Sequence, residues 1–234
     1  MSPTRRSFTT ATLVVGLFAF GGDAVRAAND ISAAEQALFI NNHLAKLRPP
    51  LTLRYGYHKA GTLEAAFDDS VDVMLTAQPD GTCCAASARF FGGARELRQP
   101  VVESAQANPL ILYFLERDIR EMERLTQGKA NYFRKRIRMS VYQGAAIRDL
   151  TLPYRGVPVA VREISIAPYL DDPNRARFEN LANKKYLFLL SDAVPGGLYG
   201  ILTRIDGPSA DAAPLLAEEF LLVGAEAAPS RRLP

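Results

Sequence analysis

The sequence contains no tryptophan, only two cysteines and only two histidines among its 234 residues. Two cysteines exclude a disulfide-dense scaffold and any four-cysteine zinc or iron–sulfur site. The histidines, His43 and His58, stand fifteen residues apart with no ligand-type neighbour at i+2 or i+4, so no zinc motif is present. A G-x-x-x-x-G-K-S/T phosphate loop, a G-x-G-x-x-G fingerprint and a G-x-S-x-G nucleophile elbow are all missing. Gly196-Gly197-Leu198-Tyr199-Gly200 is glycine-rich, but it follows Pro195 and leads into a strand pattern, which is turn chemistry. What remains, 48% hydrophobic and 23% charged residues, is the composition of a globular chain.

The amino terminus reads as an address. Arg5 and Arg6 precede an apolar run from Ala11 to about Gly22, too short to span a bilayer, and Val25 and Ala27 suit the −3 and −1 positions of a signal-peptidase site. Thr4-Arg5-Arg6-Ser7-Phe8 resembles the twin-arginine export signal, with Thr9 and Thr10 departing from its last positions. Residues 1–27 are therefore expected to be a cleavable signal and the mature protein periplasmic. The whole chain has 28 bases and 25 acids; residues 1–27 hold three arginines (Arg5, Arg6, Arg26) and one acid (Asp23). The mature chain is left with 25 bases and 24 acids, and no global field points to nucleic acid. No later run is long enough for a transmembrane helix.

Periodicity then divides the mature chain. Ser32 and Glu35 fit a capping box for a helix over 33–47, stopped by Pro49-Pro50. Alternation predicts strands at 51–57, 63–67, 71–75 and 82–91, then at 131–143, 157–161, 186–190, 199–205 and 218–223. Asn108-Pro109 opens a second helix whose stripe is Ile111, Leu115, Ile119 and Met122, with Gly128 as its stop. Asp172-Pro173 starts a short helix ending near Asn183. The expected fold class is α+β: a mainly antiparallel, strongly curved sheet, an incomplete barrel of about nine to eleven strands, with one long amphipathic helix packed on it. It forms a single domain over 28–224, followed by a flexible tail over 225–234.

Few residues carry chemistry. His43 and His58 read as ordinary half-buried or surface side chains, with His58 the better general-base candidate. Cys83 and Cys84 read as two small strand residues facing opposite ways, or as an oxidised adjacent pair with a redox or ligand-sensing role. The doublets Asp68-Asp69 and Asp171-Asp172 read as turns and caps. The segment Asn131–Met139 is the most informative. As a strand it lines up Tyr132, Arg134, Arg136 and Arg138 on one face, the arginines roughly 7 Å apart. Such a ladder is either a solvated face paired to Glu163 or Glu179, or a guanidinium row that binds a carboxylate or phosphate head group.

The order of elements resembles the half-barrel proteins that carry lipids or lipoproteins across the periplasm, over most of the mature chain and at the level of architecture. That resemblance implies a binding or carrier protein for an apolar or amphiphilic ligand, such as a lipid or acyl chain with an anionic head group. It implies no covalent chemistry and no cofactor; the ligand-binding residues would be Tyr132, Arg134, Arg136 and Arg138. The alternative is an accessory subunit of a twin-arginine-exported enzyme, docked on a larger protein, or a hydrolase of unrecognised type.

Overall fold

Alternating burial builds the sheet. In Leu51–Ala60 the side chains of Leu53, Tyr55, Tyr57 and Lys59 turn inward while Thr52, Arg54, Gly56 and His58 turn out, the period-two signature of a strand packed on one face. The computed structural model describes residues 31–80, 83–209 and 211–226; the predicted signal and all but the first two residues of the predicted tail lie outside them. Nine strands are present among the described residues: β1 Leu51–Ala60, β2 Phe67–Ala77, β3 Cys83–Phe90, β4 Leu97–Val102, β5 Ala146–Tyr154, β6 Val157–Ile166, β7 Lys185–Leu190, β8 Leu198–Ile205 and β9 Leu216–Leu222. They form one antiparallel sheet in the order β4-β3-β2-β1-β9-β8-β7-β6-β5, two meanders joined where β1 pairs with β9. The sheet is not closed; β4 and β5 are its edges. Those are the two strands that alternation did not announce, and each carries a proline (Pro100, Pro153), tolerated where no neighbour needs the missing N–H.

The first helix is short. The Ser32–Glu35 capping box is present and starts α1, Ala33–Glu35, which continues as a π-helical turn over Gln36–Ile40. The expected run to Leu47 is cut at Asn41, because Asn42 Oδ1 accepts the Leu44 N–H and the His43 ring folds back to the Ala37 carbonyl. These local side-chain bonds compete with further helix. Of the strand read over 63–67, residues 63–66 lie instead in the connection from β1 to β2 and Phe67 opens β2.

Between β4 and β5 the chain makes two helices, α2 Pro109–Thr126 and α3 Ala130–Gln143. Asn108 caps α2 and Pro109 occupies its first turn, as expected, and Ile111, Leu115, Ile119 and Met122 are all buried. The helix stops at Gln127, which takes the left-handed conformation (φ 56°), rather than at Gly128. Gly128 serves packing: a Cβ there would lie 2.6 Å from the Phe133 ring.

The strand predicted for 131–143 is the main correction, since this segment is α3. Its apolar residues satisfy both periods, but the structure buries Phe133, Ile137 and Val141, at steps of four, and leaves Met139 exposed. Only the helical period produces that pattern. Residues 132, 134, 136 and 138 therefore advance about 200° per step around a helix. Tyr132 and Arg136 share one side, Arg134 and Arg138 the other, and no ladder exists.

Both helices lie on the inner face of the sheet. Phe114 of α2 meets Tyr186, Phe188 and Phe220 at ring separations of 5.6–6.2 Å, and Phe133 of α3 meets Tyr169 and Phe178. The other face is partly covered by the chain itself. Leu152, Val161, Leu187 and Leu189 alternate away from α2 and are still buried. There the tip of the β5–β6 hairpin reaches the segment after β9: the Arg155 N–H donates to the Gly224 carbonyl at 2.7 Å, and Tyr154 bridges to Ala225. Ala225 and Glu226, assigned to the tail, are thus held; the Glu226 N–H donates to the Tyr199 hydroxyl at 3.0 Å.

Asn108 ties these layers together. Its side-chain oxygen caps Leu110 N–H, and its amide donates to the Tyr55 hydroxyl and the Gly196 carbonyl. Asn108→Ala removes a cap and strands two buried partners. It is expected to cost about 2–4 kcal/mol in urea unfolding, the sum of cap loss and unsatisfied groups. A loss below about 0.5 kcal/mol would show that the cap is dispensable.

Candidate functional site

Three places concentrate polar side chains, and the predicted ladder is none of them. Arg134 pairs with Glu116 of α2 through two hydrogen bonds of 2.9 and 2.7 Å. Arg136 pairs with buried Asp172 at 2.7 Å, and the Tyr132 hydroxyl donates to the same carboxylate at 2.6 Å. Arg138 is exposed on the far side of α3. The partners are therefore not those foreseen: Glu163 is taken by Arg148 of β5, and Asp172 and Glu116 serve the arginines of α3. Asp171-Asp172 does act locally, Asp172 accepting the Asn174 N–H. Asp68 and Asp69, however, belong to the start of β2 rather than to a turn. Asp68 lies 2.7 Å from His58 Nδ1, both side chains exposed.

The first place is an ion network between α2 and the sheet. Lys184, fully buried, donates to Asp118, which also accepts the Tyr186 hydroxyl at 2.6 Å. Glu218 of β9, equally buried, accepts from Arg117 at 2.7 Å, from Tyr57 at 2.6 Å and from Thr203 at 3.2 Å. Glu121 lies 4.0 Å from Lys184, and towards the surface Arg124 and Glu64 extend the chain of charges to Lys59. Lys59, Arg117, Arg124 and Lys184 balance Glu64, Asp118, Glu121 and Glu218, four against four. Burial works against ionisation of Glu218, but the charges of Arg117 and Lys184 outweigh it and hold its carboxyl down at about 2. Burial wins at Glu121 and raises its carboxyl. Oxygens of Asp118, Glu121 and Glu218 come within 4.8 Å of one another, a spacing that suits a divalent cation. The Lys184 ammonium already serves as their counter-ion, so this donor set does not fit a resident metal without displacing it.

The second place is a cleft of about 310 Å³ that includes His43, Asp149, Arg162, Ser191 and Asp192. It assembles a histidine, a serine and acids, but not as a nucleophile and base. Ser191 Oγ donates to the Ala160 carbonyl at 2.6 Å, and both His43 nitrogens are engaged, Nε2 with the Ala37 carbonyl and Nδ1 with the Asn108 N–H. Catalysis would need a free nitrogen within reach of the hydroxyl.

The third place is on the outer face of β1–β4. Register sets Arg54 opposite Asp72, Asp72 opposite Arg89, and Arg89 opposite Arg98. The result is one row across four strands. Asp72, its side chain nearly buried, accepts from Arg54 at 2.6 and 3.1 Å and from Arg89 at 2.8 Å. These charge-assisted bonds lower the Asp72 carboxyl, the Arg54 hydrogen bond being the largest cause. Arg98 completes the row, 82% exposed and 2.9 Å from Glu96. Thr52, Met74, Ser87 and Gln99 join the row in bounding a groove of about 650 Å³.

No protein-family model matches this chain, and comparison with curated proteins finds no match. The site therefore stands on its own geometry. Sequence reasoning sought arginines spaced by two within one segment; the row it missed is spread over Arg54, Asp72, Arg89 and Arg98. Each sits at an outward position of a strand, and pairing register alone aligns them. Of the two readings of the cysteines, the oxidised one is present: Cys83 and Cys84 form an adjacent disulfide, with Cys84 buried and Cys83 half-buried.

Two outcomes are expected of the ion network. Lys184→Met leaves Asp118 buried without its counter-ion and is expected to cost about 3–5 kcal/mol; adding Asp118→Asn should recover much of that loss, and a double variant no more stable than the single one would contradict the pairing. The Glu218 carboxyl is depressed from 4.5 to about 2, so its contribution is complete above pH 4.5 and disappears as pH falls towards 2. Urea midpoints should fall through that window in the parent and much less in Glu218→Gln.

Proposed function

We propose that this is an exported, periplasmic binding protein for an anionic amphiphile, and that the head group is held by the Arg54–Asp72–Arg89–Arg98 row. The single observation that carries the reading is the row itself. Two guanidiniums share one carboxylate, so the pair keeps a positive excess, and both arginines line the groove. The row also has an apolar continuation. The next strand across is β9, and Val223, the residue just after it, whose N–H donates to the Arg54 carbonyl, is 54% exposed. On the same face Gly56 stands opposite Leu221 and Gly200 opposite Leu221 from the other side, so two missing side chains leave that leucine half uncovered. A head group on the arginines would place an acyl chain along β9. Curvature of the β5–β9 half, suggested by the buried leucines on this face and by the Tyr154–Ala225 bridge, would give that chain a concave wall.

The inner face offers no comparable space. Phe114, Phe133, Phe188 and Phe220 are fully buried there, and the ion network fills the gap beside them. The ligand therefore belongs on the opposite face from α2 and α3. Export rests on the leader-like sequence at residues 1–27. Among the described residues no helix is long and apolar enough to cross a membrane.

Displacement of a fluorescent fatty acid tests the reading. Arg98→Glu, at an exposed position that carries no buried pair, is expected to weaken binding about tenfold, and Arg89→Ala by a similar factor. Arg138→Glu, on the far side of α3, should change nothing. Equal affinities for parent, Arg98→Glu and Arg89→Ala would dismiss the groove as the head-group site.

A further inference from the structure

His43 occupies a position that no ligand-binding reading uses. It lies in the segment between α1 and β1, and its ring makes two opposed hydrogen bonds. Nδ1 accepts the backbone N–H of Asn108 at 3.0 Å, so in the neutral ring the proton sits on Nε2 and is donated to the Ala37 carbonyl at 2.9 Å. The first bond fastens this segment to the residue that caps α2. The second closes the segment on itself. The ring also rests on the turn before β8: a Cβ on Gly197 would lie 3.0 Å from His43 Cβ and Cγ, and Gly197 takes the left-handed conformation (φ +68°). Three separate pieces of chain therefore meet on one imidazole.

We infer that His43 is an acid-sensitive latch: protonation of Nδ1 releases the amino-terminal segment, residues 31–48, from the start of α2 and opens the cleft beside it. The chemistry is a reversal of polarity. A protonated Nδ1 is a donor, and it faces another donor, the Asn108 N–H, at hydrogen-bond distance. The bond becomes a repulsion, while the Nε2–H to Ala37 bond survives. What the segment loses is its attachment to α2, not its own turn.

The charged surroundings do not cancel this. The charged groups lining the cleft are Asp192 from the connection after β7, Asp149 from β5 and Arg162 from β6, the last two paired at 3.3 Å. The α2 side presents uncharged Asn108, and β1 presents the Tyr55 hydroxyl behind it. The ring's own segment adds Asn41 to the cleft. Burial depresses the imidazole below its ordinary value of 6.5; the Ala37 carbonyl and Asp192 oppose that shift without overcoming it. The neutral ring is thus the folded form. Its contribution is complete above pH 6.5 and is lost as pH falls through the lowered value.

The chain has only two histidines, and the other, His58, is exposed in β1, so two ring signals suffice to follow the titration by NMR. Hydrogen exchange measured from about pH 7.5 to about pH 5, corrected for intrinsic rates, should show protection of residues 31–48 and of the first turn of α2 falling at least about threefold. The midpoint should coincide with the His43 ring signal, while β7 and β8 stay protected. In His43→Asn the amide oxygen takes the place of Nδ1 and accepts the Asn108 N–H at every pH, so the pH dependence should vanish. Three results would overturn the latch: a His43 titration with no change in exchange, a ring that stays neutral until the whole protein unfolds, or an unchanged pH dependence in His43→Asn. Should that variant fail to fold, coincidence of the two curves in the parent decides alone.

Discussion

Burying Lys184 beside Asp118 commits this fold to one arrangement. A charge removed from water is tolerated only when its counter-charge and the remaining hydrogen bonds are in place. Here the supply comes from four separate elements: Asp118, Arg117 and Glu121 from α2, Lys184 from the residue before β7, Glu218 from β9 and Tyr57 from β1. The three ion pairs, Arg117–Glu218, Lys184–Asp118 and Lys184–Glu121, form only when α2 lies on the inner face in this register. Hydrophobic burial by Phe114 and its neighbours supplies the driving force; the ion pairs select where along the sheet the helix stops.

That choice has a consequence for the two faces of the sheet. An inner face filled by aromatic rings and paired charges is a core, and a core packed in this way has little room for a guest. Among the described residues no helix covers the outer face of β1–β4, and there the outward side chains are free to be cationic. Asp72 keeps Arg54 and Arg89 from repelling one another while leaving them a net positive charge. A strand row is a good carrier for such a device, because backbone pairing fixes the spacing that flexible arginine side chains cannot fix for themselves.

Much of the fold was legible because local signals agreed. Asn108-Pro109 with its stripe announced α2, and the Ser32–Glu35 box announced α1. Where two periods fitted one segment, local reasoning failed. Phe133, Ile137 and Val141 serve a helix and a strand equally well, and only the cover provided by α2, Tyr169 and Phe178 decides between them. The arginine row was illegible for a different reason. Its members are separated by hairpins, and nothing local records which outward residue of one strand will face which of the next. The ion network was hidden likewise: Asp118 and Glu121 look like wet-side helix residues until Glu218 of β9 and Lys184, just before β7, arrive from distant parts of the chain.

On the proposed function, the ligand face and the packed face are different sides of one sheet. Arginine side-chain and aromatic ring NMR signals, followed while an anionic amphiphile such as a fatty acid is titrated in, test it most directly. Saturable shifts confined to Arg54, Arg89 and Arg98, with the rings of Phe114, Phe188 and Phe220 unmoved, are the expected result. Shifts that begin in those buried rings, with the three arginines silent, would place the ligand inside and contradict the assignment of the two faces.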